Sequence, residues 1–425
     1  MPPLGLITDR VRGSCPAVGQ RAGSGASERA PDLAQRLEAH GGIGPGFHFL
    51  RHLLSVLILA HHCRIAVIGA VVGAANPGQE ALGTGAAAAG ATIVAVGHDK
   101  VLGGFLQPFL FALVGMFFAL SGFLIAGSAL RTGKVGPFLA NRGLRILPAL
   151  TVEVTLCALV LGPFFTTLPL RQYFSDPQFL SYFGNIVGHV SFVLPGVFQD
   201  NPWPSIVNTN LWTLPPEFWC YLIMLGLMIS GVLATPIRLT AAVIGIAAIA
   251  LGLGLYDPAT YTVRHDNTHF TTWYIVLMFF FGVVLFLNAR RVVMSFRIFL
   301  VCGTLYYVMM LADVLGVVSG MLLTYCMVYI GMQNFRWFDR IVKKDLSYGI
   351  YLYGFPLTQA TVALLLPHIA DLPKAVCFAA IFPVVLLLTG SFASISWDYI
   401  EKPALKLRRF LVRKPRPAAA LARAA

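Results

Sequence analysis

From Phe47 onward the chain is built of apolar stretches, each about twenty residues long and separated by short polar or basic connections. A helix needs roughly 20 apolar residues to cross the hydrocarbon layer of a bilayer. Backbone polar groups in lipid must be satisfied within the spanning element, which leaves helices or closed barrels. Barrel strands would read as short alternating segments, not continuous apolar blocks. The expected fold class is therefore all-α: a polytopic membrane protein of about ten transmembrane helices, near 47–67, 105–130, 144–166, 213–233, 239–256, 272–288, 298–312, 314–332, 346–367 and 375–397. Composition agrees where it matters. Charged residues make up 12% of the chain, about half the ~25% of soluble domains, which excludes a soluble enzyme, a disordered chain and a fibrous protein.

The block 298–332 is interrupted only by Asp313 and is too long for one span, so it is divided in two. Basic residues test that division. With the N-terminus inside, the cytoplasmic connections and both tails carry 26 Lys and Arg, against 4 in the outer connections. Such an asymmetry is the positive-inside pattern, and it supports ten spans with both termini cytoplasmic. Merging the divided block would put the basic C-terminal tail outside. The net charge of +13 is thus assigned to membrane sidedness, and no nucleic-acid partner is expected.

Residues 1–46, rich in Gly, Ala, Pro and Arg, read as a disordered cytoplasmic tail. Residues 47–400 form the membrane domain, and 401–425 a basic cytoplasmic tail. The Gly- and Ala-rich region 66–104 has room for a further membrane-embedded piece. Seven cysteines are scattered without a CxxC pair, so they read as core residues and no metal is expected.

Ionisable groups inside a bilayer are costly, and each is a functional candidate. Arg51 and His62 lie eleven residues apart in the first span, or three helical turns plus about 20° and roughly 16 Å along the axis. They share one face, and His61 points about 100° away. The plain alternatives are that Arg51 snorkels to the headgroups and that His62 satisfies a core hydrogen bond. Arg142 and Arg145, at i and i+3, are neighbours on a helix face and form a pair of guanidiniums suited to phosphates, unless they are ordinary positive-inside decoration. Glu153, eight residues deeper, needs a buried partner; it is a candidate to orient His62. Ser121 in the second span is a weak nucleophile candidate, since no GxSxG context surrounds it. Before the fourth span, Trp212 suits the interface. Glu217 sits at a helix start, where a cap and a substrate contact are equally good readings. Glu401-Lys402-Pro403 reads as a helix terminus leading into a lipid-facing basic tail.

Five blocks occur in a recognisable order: Arg51-x10-His62; the FFxLSGF run Phe117 to Phe123; the Arg-x-x-Arg-Ile-x-Pro run Arg142 to Pro148; LWTLxxE from Leu211 to Glu217; and the late pair Ser347 to Tyr353 and Asp398 to Pro403. Together they resemble the acyltransferase 3 family of integral membrane acyltransferases over roughly residues 47 to 410. The resemblance implies transfer of an acyl group, usually acetyl, from acyl-CoA (acetyl-CoA) as co-substrate to a hydroxyl of a carbohydrate or other acceptor, with a bacterial inner membrane as the setting. Many members carry a histidine after the YLY element, where this chain has Gly354-Phe355-Pro356. The hydrolase-like domain fused to some relatives is not expected here.

On that basis Arg51, Arg142 and Arg145 are expected to bind the phosphates of acyl-CoA. His62 is expected to act as general base toward the acceptor hydroxyl, with Glu153 and Ser121 as further catalytic candidates. Trp212, Glu217, Tyr348 and Tyr351 are expected to bind substrate. Ser121 and a backbone amide beside Gly122 are the candidates for an oxyanion donor. The competing reading is a secondary transporter or flippase using the buried His, Glu and Arg side chains as a proton or anion pathway. Against it, no repeat of the first five spans is evident in the last five.

Overall fold

The structure, a computed structural model, describes residues 32–68, 100–257, 272–312 and 315–408. The possible embedded piece within 66–104 falls largely outside these residues, as does Asp313. All ten apolar segments are helical. Seven described helices are long and apolar enough to cross a membrane. The main elements are α1 (Leu33–Ala39), α2 (Phe47–Ile68), α3 (Lys100–Thr132), α4 (Val135–Leu156), α5 (Leu214–Ile229), α6 (Pro236–Tyr256), α7 (Thr272–Leu287), α8 (Phe296–Leu311), α9 (Gly316–Gly331), α10 (Ser347–Ile369) and α11 (Lys374–Ser396). Helices α7, α8 and α9 have 16 residues each, about 24 Å at ~1.5 Å per residue. The apolar block at 298–332 is thus divided into two helices, which pack on each other.

Two long helices do not stop where the α-helical pattern breaks. A π-helical turn, Cys157–Leu161, carries α4 on into Gly162–Phe165. A second, Trp397–Glu401, carries α11 into Lys402–Lys406. Such turns insert one residue per turn and re-aim the side chains around them. Here they flank two buried carboxylates, Glu153 and Glu401.

Helices α2, α10 and α11 pack together on one side of the molecule, and α3 packs most extensively on α7. Small residues set the second contact. A Cβ at Gly122 would run into the Phe279 carbonyl, and one at Gly282 into the Ala119 carbonyl. The two backbones therefore touch, as small-residue interfaces in membranes permit. Gly122→Val or Gly282→Val is expected to cost about 3 kcal/mol or more by overpacking. Thermal unfolding in detergent checks this; a variant melting within about 2 °C of wild type would sink it.

Between α4 and α5 the chain forms a folded cap. Short helices Leu170–Ser175 and Pro177–Tyr182 lead into a loop closed by the bridges Thr166↔Val197 and Val193↔Ile206. Asn185 staples this cap by donating to the carbonyls of Tyr182 and Ser191 at 2.7 and 2.9 Å. The cap is tied to the helices through Gln359, whose amide donates to the carbonyls of Trp203 and Ile206 at 2.8 and 2.7 Å.

The disordered tail expected through residue 46 is corrected for 32–46; residues 1–31 lie outside the described residues. Asp32 and Gln35 form a capping box, each side chain accepting from the other's backbone amide and so satisfying amides that a helix start leaves free. Helix α1 buries Leu33 and Leu37 and donates from Leu33 to the Val292 carbonyl at 2.9 Å. The sequence reading missed it because seven residues are too few for an apolar period to stand out.

Candidate functional site

Five helix ends converge on one face of the bundle: the starts of α2, α4 and α10 and the ends of α3 and α11. Between them lies a cavity of about 530 Å³, lined by five arginines, Arg51, Arg131, Arg142, Arg145 and Arg408. From that end it runs inward past Ser121, Glu217 and Tyr348 to Phe117, Asn210, Thr213, Tyr351 and Ile58. Charge lines the arginine end, and mainly apolar and hydroxyl groups line the inner end.

The arginines are organised by an acid that the sequence reading did not single out. Asp345 stands just before α10. Its Oδ2 accepts from Arg51 Nη2 at 3.0 Å and from Arg145 Nη2 at 2.9 Å, and its Oδ1 accepts from the Ser347 hydroxyl at 2.8 Å. Burial alone would push this carboxyl up, but Arg145 and Arg51 outweigh it and hold Asp345 well below the usual carboxylate range. One carboxylate thereby holds two guanidiniums from different helices side by side. Arg145 is fixed further: its guanidinium lies over the Tyr348 and Trp397 rings, 5.8 and 5.9 Å from their centroids, and 3.7 Å from the buried Glu401. Cation–π contacts of this kind favour arginine over lysine. Glu401 is thus buried behind Arg145 without lining the cavity, which corrects its reading as a plain helix terminus.

Arg142 differs. It forms no ion pair with the described residues, and its Nε is buried without a hydrogen-bond partner, as is the Nε of Arg51. A buried donor left unmade is costly and calls for an explanation. An anion entering the cavity supplies one, because guanidinium donors match phosphate oxygens.

The turn that presents Asp345 is held from α2. His52 Nδ1 donates to the His48 carbonyl at 2.8 Å, and its Nε2 accepts from the Leu346 amide at 3.0 Å. That pair of partners sets the neutral Nδ1–H tautomer.

His62 and Arg51 share one face of the continuous helix α2, but only Arg51 lines the cavity. The cavity reaches Ile58 on α2, and His62 is one helical turn beyond it. The imidazole is edge-on to Phe355, with centroids 5.4 Å apart, and 6.4 Å from the Trp203 ring. Its Nδ1 is buried without a hydrogen-bond partner among the described residues, as is that of His61.

The expected pairing of Glu153 with His62 is not formed. Glu153 Oε1 accepts from Asn208 at 2.8 Å and from the Cys157 thiol at 3.1 Å, and its Oε2 has no partner among the described residues. The reason is packing: α4 contacts α3, α10 and the cap, so Asn208 reaches the carboxyl before any group on α2. The segment before α5 is likewise not a surface entry. Asn208 and Asn210 are buried, and they donate to the Leu352 and Tyr351 carbonyls at 3.0 and 2.5 Å. Trp212 is off the cavity wall, while its neighbours Leu211 and Thr213 are on it. Glu217 is on the wall and accepts a hydrogen bond from the Tyr221 hydroxyl. Ser121 is on the wall, whereas the Gly122 side of the helix faces α7. A backbone amide there lies in mid-helix, already committed to the helical ladder, and is withdrawn as an oxyanion donor.

A second cavity, about 490 Å³, lies between the cap and α10, lined by Phe165, Phe198, Gln199, Asp200, Asn201 and Lys374. It is at the opposite end from the arginines. Asn201 there donates to Gln359, whose own amide holds the carbonyl of Trp203, the ring beside His62.

Comparison with known proteins bears on this arrangement. The chain matches the acyltransferase domain family over residues 45–396. It is 28% identical over 342 residues to a protein of Shigella phage Sf6 named O-acetyl transferase, covering 76% of this chain and 93% of that one. It is 25% identical over 344 residues to nodulation protein 10 of Rhizobium leguminosarum bv. viciae, covering 74% and 88% respectively. No solved structure matches it.

Proposed function

From the premise that this chain belongs to the acyltransferase domain family, we propose that it moves an acetyl group from acetyl-CoA to a hydroxyl of a carbohydrate. The acyl group is taken from the name of the phage relative. The donor is taken from the cavity, which carries the proposal. A ligand with several phosphates and a long uncharged thiol arm needs a cationic mouth leading into a largely apolar passage, in that order. The arginines supply the first, and the wall from Phe117 to Ile58 supplies the second.

In this reading the arginine end faces the cytoplasm, in keeping with the positive-inside asymmetry. Arg142 and the free Nε of Arg51 take phosphate oxygens, and Asp345 keeps Arg51 and Arg145 positioned for them. Glu217 and Tyr348 line the passage of the arm. The acceptor approaches from the opposite face, where the second cavity mixes aromatic faces with amide, carboxylate and ammonium groups. His62 stands between the two. It removes the hydroxyl proton as the oxygen attacks the thioester carbon, then returns it to the departing coenzyme A thiolate. Glu153 acts at a distance, by holding Asn208 and through it the backbone of α10 at Leu352. The setting is a bacterial inner membrane.

Thiol release from acetyl-CoA by the purified protein in lipid, with a cell-envelope saccharide extract as acceptor, tests the reading. Acceptor-dependent release is expected. Release that no saccharide fraction increases, with no binding of free coenzyme A, would sink it.

A further inference from the structure

The attack proposed above places a negative charge on the thioester oxygen, and something must meet it. We propose that Tyr351, backed by Thr213, is the donor that stabilises this oxyanion. The inference rests on the acyl-transfer reading and adds a catalytic residue to it.

The argument begins with two parallel helices. Helices α2 and α10 start at the same end of the bundle and pack along their length. On α2, Arg51, Ile58 and His62 follow at intervals of seven and four, which keeps them on one face. On α10, Tyr348, Tyr351 and Phe355 follow at intervals of three and four, again one face. The two series match level by level. Tyr348 lies under the Arg145 guanidinium, which shares Asp345 with Arg51. Phe355 is edge-on to His62. Tyr351 and Ile58 fall between, and both line the inner part of the cavity. A thioester carried from the arginines toward His62 passes the Tyr351 hydroxyl.

The hydrogen bonds at that level are of the kind an oxyanion donor needs. Tyr351 Oη and Thr213 Oγ1 are 2.9 Å apart, and Thr213 Oγ1 is also 3.0 Å from the Asn210 carbonyl. The Asn210 carbonyl lies 3.3 Å from Tyr351 Oη. Two hydroxyls therefore share one carbonyl acceptor. When a stronger acceptor enters the cavity, Tyr351 turns its proton to it, and Thr213 turns its own to Tyr351 Oη. Neither hydroxyl loses its proton. The ring is held meanwhile by Phe117, centroids 6.1 Å apart, and the backbone by Asn210 donating to the Tyr351 carbonyl. Donors fixed in advance in a site of low polarity are worth most at a developing charge.

Ser121 is the rival and sits at the wrong depth. It follows Phe117 by one turn on α3, a helix that runs toward the arginine end. Since Phe117 is level with Tyr351, Ser121 is about 6 Å nearer the arginines.

The step balances within the reaction itself. The acceptor oxygen forms a bond to the carbonyl carbon, and the C=O π pair moves to oxygen, where Tyr351 donates to it. Collapse restores C=O and breaks the C–S bond. The proton taken by His62 goes to the thiolate.

Kinetics of thiol release from acetyl-CoA, with the saccharide extract at saturation, test the proposal. Tyr351→Phe keeps the ring and removes the donor. Its kcat is expected to fall about 10²–10³-fold, as for loss of one oxyanion donor, while KM for acetyl-CoA and binding of free coenzyme A hold. Thr213→Val is expected to lower kcat by about tenfold, and Ser121→Ala by less than about threefold. If Tyr351→Phe binds coenzyme A as wild type does and keeps kcat within about threefold, the proposal is overturned while acyl transfer stands. Should Tyr351→Phe fail to fold, an unchanged kcat in Thr213→Val overturns it instead. A wild type that neither binds coenzyme A nor releases thiol overturns the acyl-transfer reading and this proposal together.

Discussion

Replacing His62 by alanine is expected to lower kcat for acceptor-dependent thiol release by about 10²–10⁴-fold, the usual contribution of a positioned general base. The same change at His61 is expected to cost less than about fivefold. KM for acetyl-CoA should hold in both, because the arginines sit three helical turns from either imidazole. Two adjacent histidines whose Nδ1 atoms have no partner among the described residues make an internal control: composition, depth and helix are shared, and only the face differs. His62 lies on the face of Arg51 and Ile58, against Phe355, and His61 is turned about 100° from it. Equal losses in the two variants would leave acyl transfer in place and remove the selection of His62 by helical phase. Full activity in His62→Ala would remove the base.

The largest effect on stability is expected at Arg145. This side chain meets Asp345 at 2.9 Å and Glu401 at 3.7 Å. Removing one partner of a buried pair typically costs about 3–5 kcal/mol, chiefly through the charge left behind. Arg145→Met leaves two carboxylates short of a counter-charge, so it is expected to melt well below wild type in detergent. The double variant Arg145→Met, Asp345→Asn should recover part of the loss. Arg142→Met provides the contrast: Arg142 makes no ion pair with the described residues, so its loss should leave the melting point near wild type and weaken coenzyme A binding. Equal melting points for Arg142→Met and Arg145→Met would sink the division of labour between the two arginines.

The placement of Asp345 shows where the sequence was legible and where it was not. In the chain it follows Lys343 and Lys344, and in a count of basic residues it disappears into a cytoplasmic connection. Nothing in its neighbours along the chain announces two arginines, because they come from Arg51 and Arg145, about 290 and 200 positions away. Glu401 was hidden in the same way. It ends a long apolar run, and only the π-helical turn that continues α11 carries it inward beneath Arg145. Glu153 was legible as a buried carboxylate needing a partner, but the partner chosen for it was wrong. The sequence could not say that the connection after α4 folds back into the bundle and delivers Asn208. The polar run Asn208-Thr209-Asn210 was the available signal: two asparagines just ahead of an apolar helix are suited to hydrogen-bonding backbone carbonyls in a buried site.

The sequence by itself determined the class of structure, the ten helical segments, the candidate arginines and the phase relation between Arg51 and His62. These depend on local quantities: the length of an apolar run against the thickness of a bilayer, and the angle per residue of a helix. It also carried the order of blocks by which the family is recognised. The tertiary structure alone decided which charges meet, which face of α10 answers that of α2, and that the cavity ends at Tyr351 and Ile58, one helical turn short of His62. Those outcomes depend on how separate helices pack. Within a bilayer helices associate through close packing and a few polar contacts, and neither is encoded in any one helix.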